Sequence, residues 1–250
     1  SVSTLAPGNV SVQPEEPEEG ETPAASGPNV MDIDFDALIA NETDSTLKDM
    51  HEYFRDRTPT EKNQYTGMFQ GKNLLLFTGE AFWIGAVNEQ YTPTLYKLAH
   101  SGFVFENFYN PLWYYSTVDG EYAATTGLIP TNQVNASQRY AGKNGVSMYF
   151  SMGNQLRALG YPTLAYHNNT ANYYDRNLSH PNLGYDFYAC DTGLDVAMTW
   201  PQSDLEMMQL TLPQALAGEK PFHNYYMTVS GHMNYSFAGN AMSAKHRDEV

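Results

Sequence analysis

The sequence predicts an α/β domain with a largely parallel central sheet and helices on both of its faces. Three observations carry that prediction. From Lys72 onward, short apolar runs alternate with helix-like stretches, the order that buries a parallel sheet between layers of helix. The 250 residues suffice for one large domain of this kind or two small ones. Glu80, His167 and His232 each stand one to three residues beyond an apolar run. If those runs are parallel strands, the three side chains meet at the sheet edge where α/β proteins bind ligands.

The elements follow in order. Residues 1–30 are rich in Pro, Glu, Ser and Gly around Pro14-Glu15-Glu16-Pro17-Glu18-Glu19-Gly20. Such a segment buries too little apolar surface to offset its ordering entropy, so it is expected to be a disordered acidic linker. Residues 31–71 are expected to be a helical linker segment, with a short helix over 45–57 that sets Leu47, Met50, Tyr53 and Phe54 on one face. The folded domain spans 72–250. Leu74–Phe77 reads as a buried strand. Thr92-Pro93 opens a helix to about Ala99, with Thr as N-cap and Pro in the first turn. Phe103–Phe108 reads as a second strand, and helices are expected over 117–126 and 148–159, the latter stopped by Gly160. Thr163–Tyr166 is a third strand. Ser203-Asp204-Leu205-Glu206 is a capping box that opens a helix to about Leu216, and His223–Val229 is a fourth strand. No internal repeat is visible.

Charge and composition narrow the class. Residues 1–50 hold eleven of the 28 acids and one base, Lys48, so they carry −10 of the formal −15. The acidity therefore describes a tail, and the folded part is only mildly acidic. No Lys/Arg cluster occurs, which excludes a nucleic-acid footprint. Cys190 is the only cysteine, so no disulfide forms within the chain. No run of about 18 apolar residues is present to span a membrane. The chain begins at Ser1 without methionine or signal peptide, as expected of a piece of a longer protein.

The chemistry sits in few residues, each with an ordinary alternative. Glu80 reads as an exposed strand cap or, between an apolar strand and Phe82-Trp83, as a partly desolvated carboxylate that a divalent cation would stabilise. Thr117 reads as a first-turn residue inside the Ser116–Asp119 capping box. It also reads as a nucleophile, because a helix start offers N–H donors and a positive dipole end to a phosphorylated hydroxyl. A threonine hydroxyl attacks only when a metal or base lowers its pKa. His167 and His232 are either hydrogen-bonded structural histidines or site residues at matching strand ends. Arg176 is either a surface ion pair or a phosphate clamp.

These motifs in their order resemble the extracellular catalytic domain of lipoteichoic acid synthases, within the alkaline phosphatase/sulfatase superfamily. The resemblance runs from Lys72-Asn73-Leu74-Leu75-Leu76 and Glu80 through Thr92-Pro93-Thr94-Leu95-Tyr96-Lys97-Leu98 and Phe105-Glu106-Asn107-Phe108-Tyr109. It continues in Ser116-Thr117-Val118-Asp119-Gly120-Glu121-Tyr122, Tyr166-His167-Asn168-Asn169 and Tyr173-Tyr174-Asp175-Arg176. Leu183-Gly184-Tyr185-Asp186 and Ser230-Gly231-His232 close the series. The stretch 31–66 resembles the linker that follows five membrane helices in that family.

The resemblance implies an alkaline phosphatase/sulfatase-like fold, C-terminally incomplete in this chain, on the outer face of the cell membrane. It implies Glu80 as a metal ligand, and Thr117 as both ligand and nucleophile, carrying glycerophosphate as a covalent ester. His167, Asn169, Arg176 and His232 would bind the phosphoglycerol, with Tyr174 where the family usually has Trp. The cofactor would be Mn2+ or another divalent cation such as Mg2+ or Zn2+. The substrates would be the phosphatidylglycerol head group and a polyglycerolphosphate acceptor. The family's remaining metal ligands, an Asp-His pair, would lie beyond Val250, so this piece alone is expected to bind metal weakly and turn over little. A phosphoethanolamine transferase or a sulfatase-like hydrolase is the alternative enzyme, although Cys190 lacks the C/S-x-P-x-R context of a sulfatase nucleophile. A non-catalytic ectodomain binding wall polymers through its many aromatics is the alternative outside enzymes.

Overall fold

The computed structural model describes residues 26–30, 33–109, 117–131, 142–145, 148–218 and 221–249. Most of the expected disordered linker therefore lies outside the described residues. The chain divides into two compact units, Ser1–Gln70 and Gly71–Val250.

In the first unit, α1 (Phe35–Asn41) and α2 (Ser45–Arg55) are each started by an aspartate. The Asp34 side chain accepts from Ala37 N, and Asp44 accepts from Thr46 N and Leu47 N, which satisfies amide groups that have no partner inside the helix. The expected helix at 45–57 is α2, ending two residues early.

Among its described residues the second unit is built on four strands, β1 (Leu74–Thr78), β2 (Thr163–His167), β3 (Asp186–Ala189) and β4 (His223–Met227), in the spatial order β1-β4-β2-β3. All three pairings are parallel. Between them lie α3 (Pro93–His100), α4 (Thr117–Thr126), α5 (Met152–Ala158), α6 (Arg176–Asn182) and α7 (Asp204–Leu216), and α8 (Ala241–Lys245) follows β4.

Side chains alternate across β4, so its neighbours Tyr225 and Tyr226 define the two faces. Tyr226 packs with Tyr166, Leu194, Val196 and Met207 of α7, and Thr211 of α7 bonds its hydroxyl at 3.1 Å. Tyr225 packs with Ala165, Leu183 and Tyr185 on the other face, where His180 of α6 stacks on it with ring centres 5.8 Å apart. Helices thus cover both faces, as expected of a parallel sheet. On the α7 face four rings lie side by side across the sheet, Phe77, Tyr226, Tyr166 and Tyr188, with centroids 5.3, 5.2 and 5.7 Å apart.

Several expectations need correction. Phe103–Phe108 forms no strand: it is irregular backbone with a turn at 106–107 and its aromatic side chains exposed, because an apolar run becomes a strand only where a neighbour pairs with it. The fourth strand is instead β3, whose short sequence Asp186-Phe187-Tyr188-Ala189 carries a weak pattern. Leu74–Phe77 is not buried but lies at an edge of the described sheet, paired with β4, and Phe77 is 49% exposed. The helix expected over 148–159 begins at Met152, because Ser151 is extended and spends its hydroxyl on Met148 O and Leu183 O. Gly160 then stops it with a left-handed φ of 86°. Thr92 stands at the N-cap of α3, but its hydroxyl bonds Ala86 O and Asn88 N instead of the helix. The box at Ser203 forms by half. Ser203 accepts from Glu206 N, while the Glu206 carboxylate goes to Ala197 N.

Candidate functional site

Because the strands are parallel, β1, β2 and β4 end at one edge, and the residues just past them converge. Glu80 lies two residues beyond β1. Its amide donates to Thr228 Oγ1 at 2.9 Å, and that hydroxyl donates to Thr78 O at 3.0 Å, so the turn after β1 is tied to the turn after β4. Gly231 lets the same two turns touch: a Cβ built on it would lie 2.6 Å from Glu80 O. Among the described residues the Glu80 carboxylate then has one polar neighbour on each oxygen. Thr117, the first residue of α4, donates its hydroxyl to Oε2 at 3.3 Å. His232 brings Nε2 to 4.0 Å from Oε1. Its Nδ1 faces the carbonyl of Met233 at 2.9 Å and Trp200 meets its ring edge-on at 5.1 Å. Ser116, the other half of the expected capping box, lies outside the described residues.

His167 ends β2 and is buried. Its Nδ1 lies 3.1 Å from Met227 O, and since a carbonyl only accepts, Nδ1 carries the proton. Nε2 is therefore a lone pair, buried and without a hydrogen-bond partner among the described residues. Burial first, and then the positive charge of Arg176, lower the pKa of this histidine to about 3, so it is neutral at physiological pH.

Arg176 is 1% exposed and pairs with Glu121, one helical turn beyond Thr117 on α4. Nε lies 3.2 and 3.1 Å from the two carboxylate oxygens and Nη2 lies 2.7 Å from Oε2. The guanidinium sits 5.3 Å from the ring centre of Tyr174. Tyr174 and Asp175 both take left-handed backbone, with φ of 57° and 55°, a two-residue step that delivers Arg176 to the start of α6. The Tyr174 hydroxyl is pushed above its ordinary pKa by burial first and by Tyr173 next, with Arg176 pulling it down and Glu80 pushing it up. Asn169 stands apart: its side-chain oxygen accepts from Thr170 N at 2.8 Å and its carbonyl from Cys190 N.

The structure thus draws Glu80, Thr117 and His232 together, sets Arg176 beside Tyr174, and places His167 at the same edge. Glu121 is the residue that sequence reasoning passed over. Its position four residues after Thr117 was the available signal, since i and i+4 share a helix face. As for a cation, Glu80 and Thr117 present two oxygen donors of the type that hard divalent ions take. Among the described residues no group of three or more His, Cys, Asp or Glu converges to hold one. The two donors fit such an ion in kind but do not by themselves make a complete ligand set.

Residues 72–249 match the family described as Sulfatase. Lipoteichoic acid synthase 2 of Bacillus subtilis (strain 168) is 23% identical over 221 residues, covering 82% of this chain and 33% of that protein. The crystal structure of the lipoteichoic acid synthase LtaP from Listeria monocytogenes matches with a TM-score of 0.59 and 25% identity, over 68% of this chain and 43% of that one. A protein in the alkaline phosphatase superfamily from Vibrio parahaemolyticus matches in fold, with a TM-score of 0.52 and 23% identity over 66% of this chain and 42% of that one. The chain spans about a third of the length of the curated relative it matches.

Proposed function

Since this chain belongs to the sulfatase family, we propose that it carries the nucleophile of a phosphoglycerol transferase of the lipoteichoic acid synthase kind. Thr117 Oγ1 attacks the phosphorus of a phosphatidylglycerol head group. The new O–P bond forms as the bond from phosphorus to the diacylglycerol oxygen breaks, and the proton that Thr117 loses is matched by the one diacylglycerol gains. The terminal hydroxyl of a polyglycerolphosphate chain then attacks the same phosphorus and returns Thr117 to its alcohol form. The single observation that carries this reading is the Thr117 hydroxyl aimed at Glu80 Oε2 at 3.3 Å from the first position of a helix.

Each residue has a part that its geometry supports. The start of α4 offers backbone donors and a positive dipole end to the phosphate oxygens. The His167 Nε2 lone pair is suited to accept from a glycerol hydroxyl, and Arg176 supplies positive charge beside the aromatic wall of Tyr174. His232, beside Glu80, completes the binding of the head group, whereas Asn169, its side-chain oxygen turned to Thr170 N, takes no part in it. Glu80 and Thr117 would hold Mn2+ or another divalent cation such as Mg2+ or Zn2+, which when bound lowers the hydroxyl pKa and offsets charge on the transferring phosphoryl group. The domain would work on the outer face of the membrane that holds its lipid substrate. No helix among the described residues is long and apolar enough to cross one.

The test is chemical. The whole protein that contains this chain is incubated with a phosphatidylglycerol analogue and Mn2+, and the Thr117 peptide is weighed by mass spectrometry. A glycerophosphate adduct is expected in the native protein and none in Thr117→Ala. No adduct in either returns the domain to the wall-polymer-binding alternative.

A further inference from the structure

The carboxylate of Glu121 is the most heavily engaged polar group behind the site. It is 2% exposed and takes the Nε–Nη2 edge of Arg176, with Nη2 at 2.7 Å. It also accepts from Tyr225 Oη at 3.1 Å and faces His180 Nε2 at 3.5 Å. Tyr225 Oη in turn lies 2.8 Å from Thr78 Oγ1, at the end of the strand that leads to Glu80. One side chain therefore joins the helix of Thr117, the segment of Tyr174 and Arg176, the central strand and the Glu80 strand.

We propose that Glu121 is a positioning residue that fixes the Arg176 guanidinium relative to Thr117 and Glu80, taking one edge of the fork and leaving the Nη1 side for the phosphoester. The geometry favours this over a plain structural tie. Among the described residues the Nη1 side of this buried guanidinium makes one long contact, 3.4 Å to Tyr173 O. A planar guanidinium held along one edge can present only the other edge to a second anion. Burial alone would push the Glu121 carboxyl up, but Arg176 and His180 outweigh it and hold it well below the usual carboxylate range, so the clamp stays charged. The inference rests on the phosphoester reading above.

The test is a double-mutant cycle in the whole protein, read as the affinity for glycerol phosphate beside the thermal midpoint. Glu121→Gln is expected to weaken binding about tenfold, as loss of a supporting partner behind a ligand-binding group does. Arg176→Gln should weaken it at least as much. The double variant should bind no worse than Arg176→Gln alone, because Glu121 acts through Arg176. A merely structural role would lower the thermal midpoint and leave the affinity of the folded protein unchanged. Glu121→Gln binding like the native protein, or two losses that multiply in the double variant, overturns the inference while leaving the function intact. If Glu121→Gln does not fold, Tyr225→Phe carries the test by removing one hydroxyl from Glu121 and Thr78. About threefold weaker binding is then expected, and unchanged affinity overturns the proposal. Native protein that ignores glycerol phosphate sinks the functional reading and this inference with it.

Discussion

Replacing Gly231 by alanine probes the whole site with a single methyl group. The added Cβ would stand 2.6 Å from the backbone oxygen of Glu80, with nothing else of Glu80 nearer than 3.7 Å. Ordinary van der Waals contact begins near 3.4 Å, so one turn must retreat by about 0.8 Å. The atom it meets is backbone, so no side chain can swing away to absorb the clash. Glu80 N is bonded to Thr228 and Thr228 to Thr78, so the retreat is expected to carry Glu80 away from Thr117. A misplacement of about 1 Å in a reacting constellation costs on the order of a hundredfold in rate. Strain of this kind destabilises a fold by about 1–3 kcal/mol. The assay is the rate of Thr117 modification by a phosphatidylglycerol analogue, followed by mass spectrometry at a temperature where the variant is folded. Gly102→Ala is the control, since its Cβ meets nothing within 4 Å. Gly231→Ala reacting at the native rate would show that the contact between the two turns does not set the Glu80–Thr117 distance.

Three further outcomes are expected. His167 titrates near 3 in the folded chain against an ordinary 6.5, so the unfolded chain binds a proton that the native one does not. This contribution is complete above pH 6.5 and falls away on acidification by about 1.4 kcal/mol per pH unit; urea unfolding at pH 7 and 5 should show it, and His167→Asn should flatten the difference. Met207→Ala, at a position fully buried against Tyr226, should cost about 2–5 kcal/mol in the same measurement, and a loss below 1 kcal/mol would mean the α7 face is loosely packed. Glu80→Gln should raise the Mn2+ concentration that half-saturates Thr117 modification about tenfold, by removing a charged oxygen donor; an unshifted Mn2+ curve would remove Glu80 from the ligand set.

Much of the sheet was legible because its strands leave strong traces. Leu74–Thr78 and His223–Met227 are rich in large apolar and aromatic residues, and the start of α7 carries its signal at Ser203. The register of Glu80 and His232 was legible for the same reason: once the strands are parallel, the residues beyond them must meet. Three features were not. β3 has four residues with Asp186 at its head, and what makes it a strand is its pairing with β2, a tertiary fact. α6 starts after two left-handed residues and contains Pro181, so no local propensity announces it. Arg176 reads as a surface ion pair or a phosphate clamp, and its burial against Glu121, a partner 55 residues away, is a tertiary fact that its own neighbourhood in the sequence does not announce.

The row of four rings on the α7 face constrains how this sheet can err during assembly. β4 places two tyrosines in succession, one stacked in the row of rings with its hydroxyl on Thr211 and the other bonded to a carboxylate and a threonine. A slip of one residue between β4 and its neighbours turns each side chain to the opposite face. In one direction Asn224 replaces the tyrosine of the polar web, and in the other Met227 replaces the ring of the row, so each displacement breaks one of the two arrangements and only the native alignment keeps both.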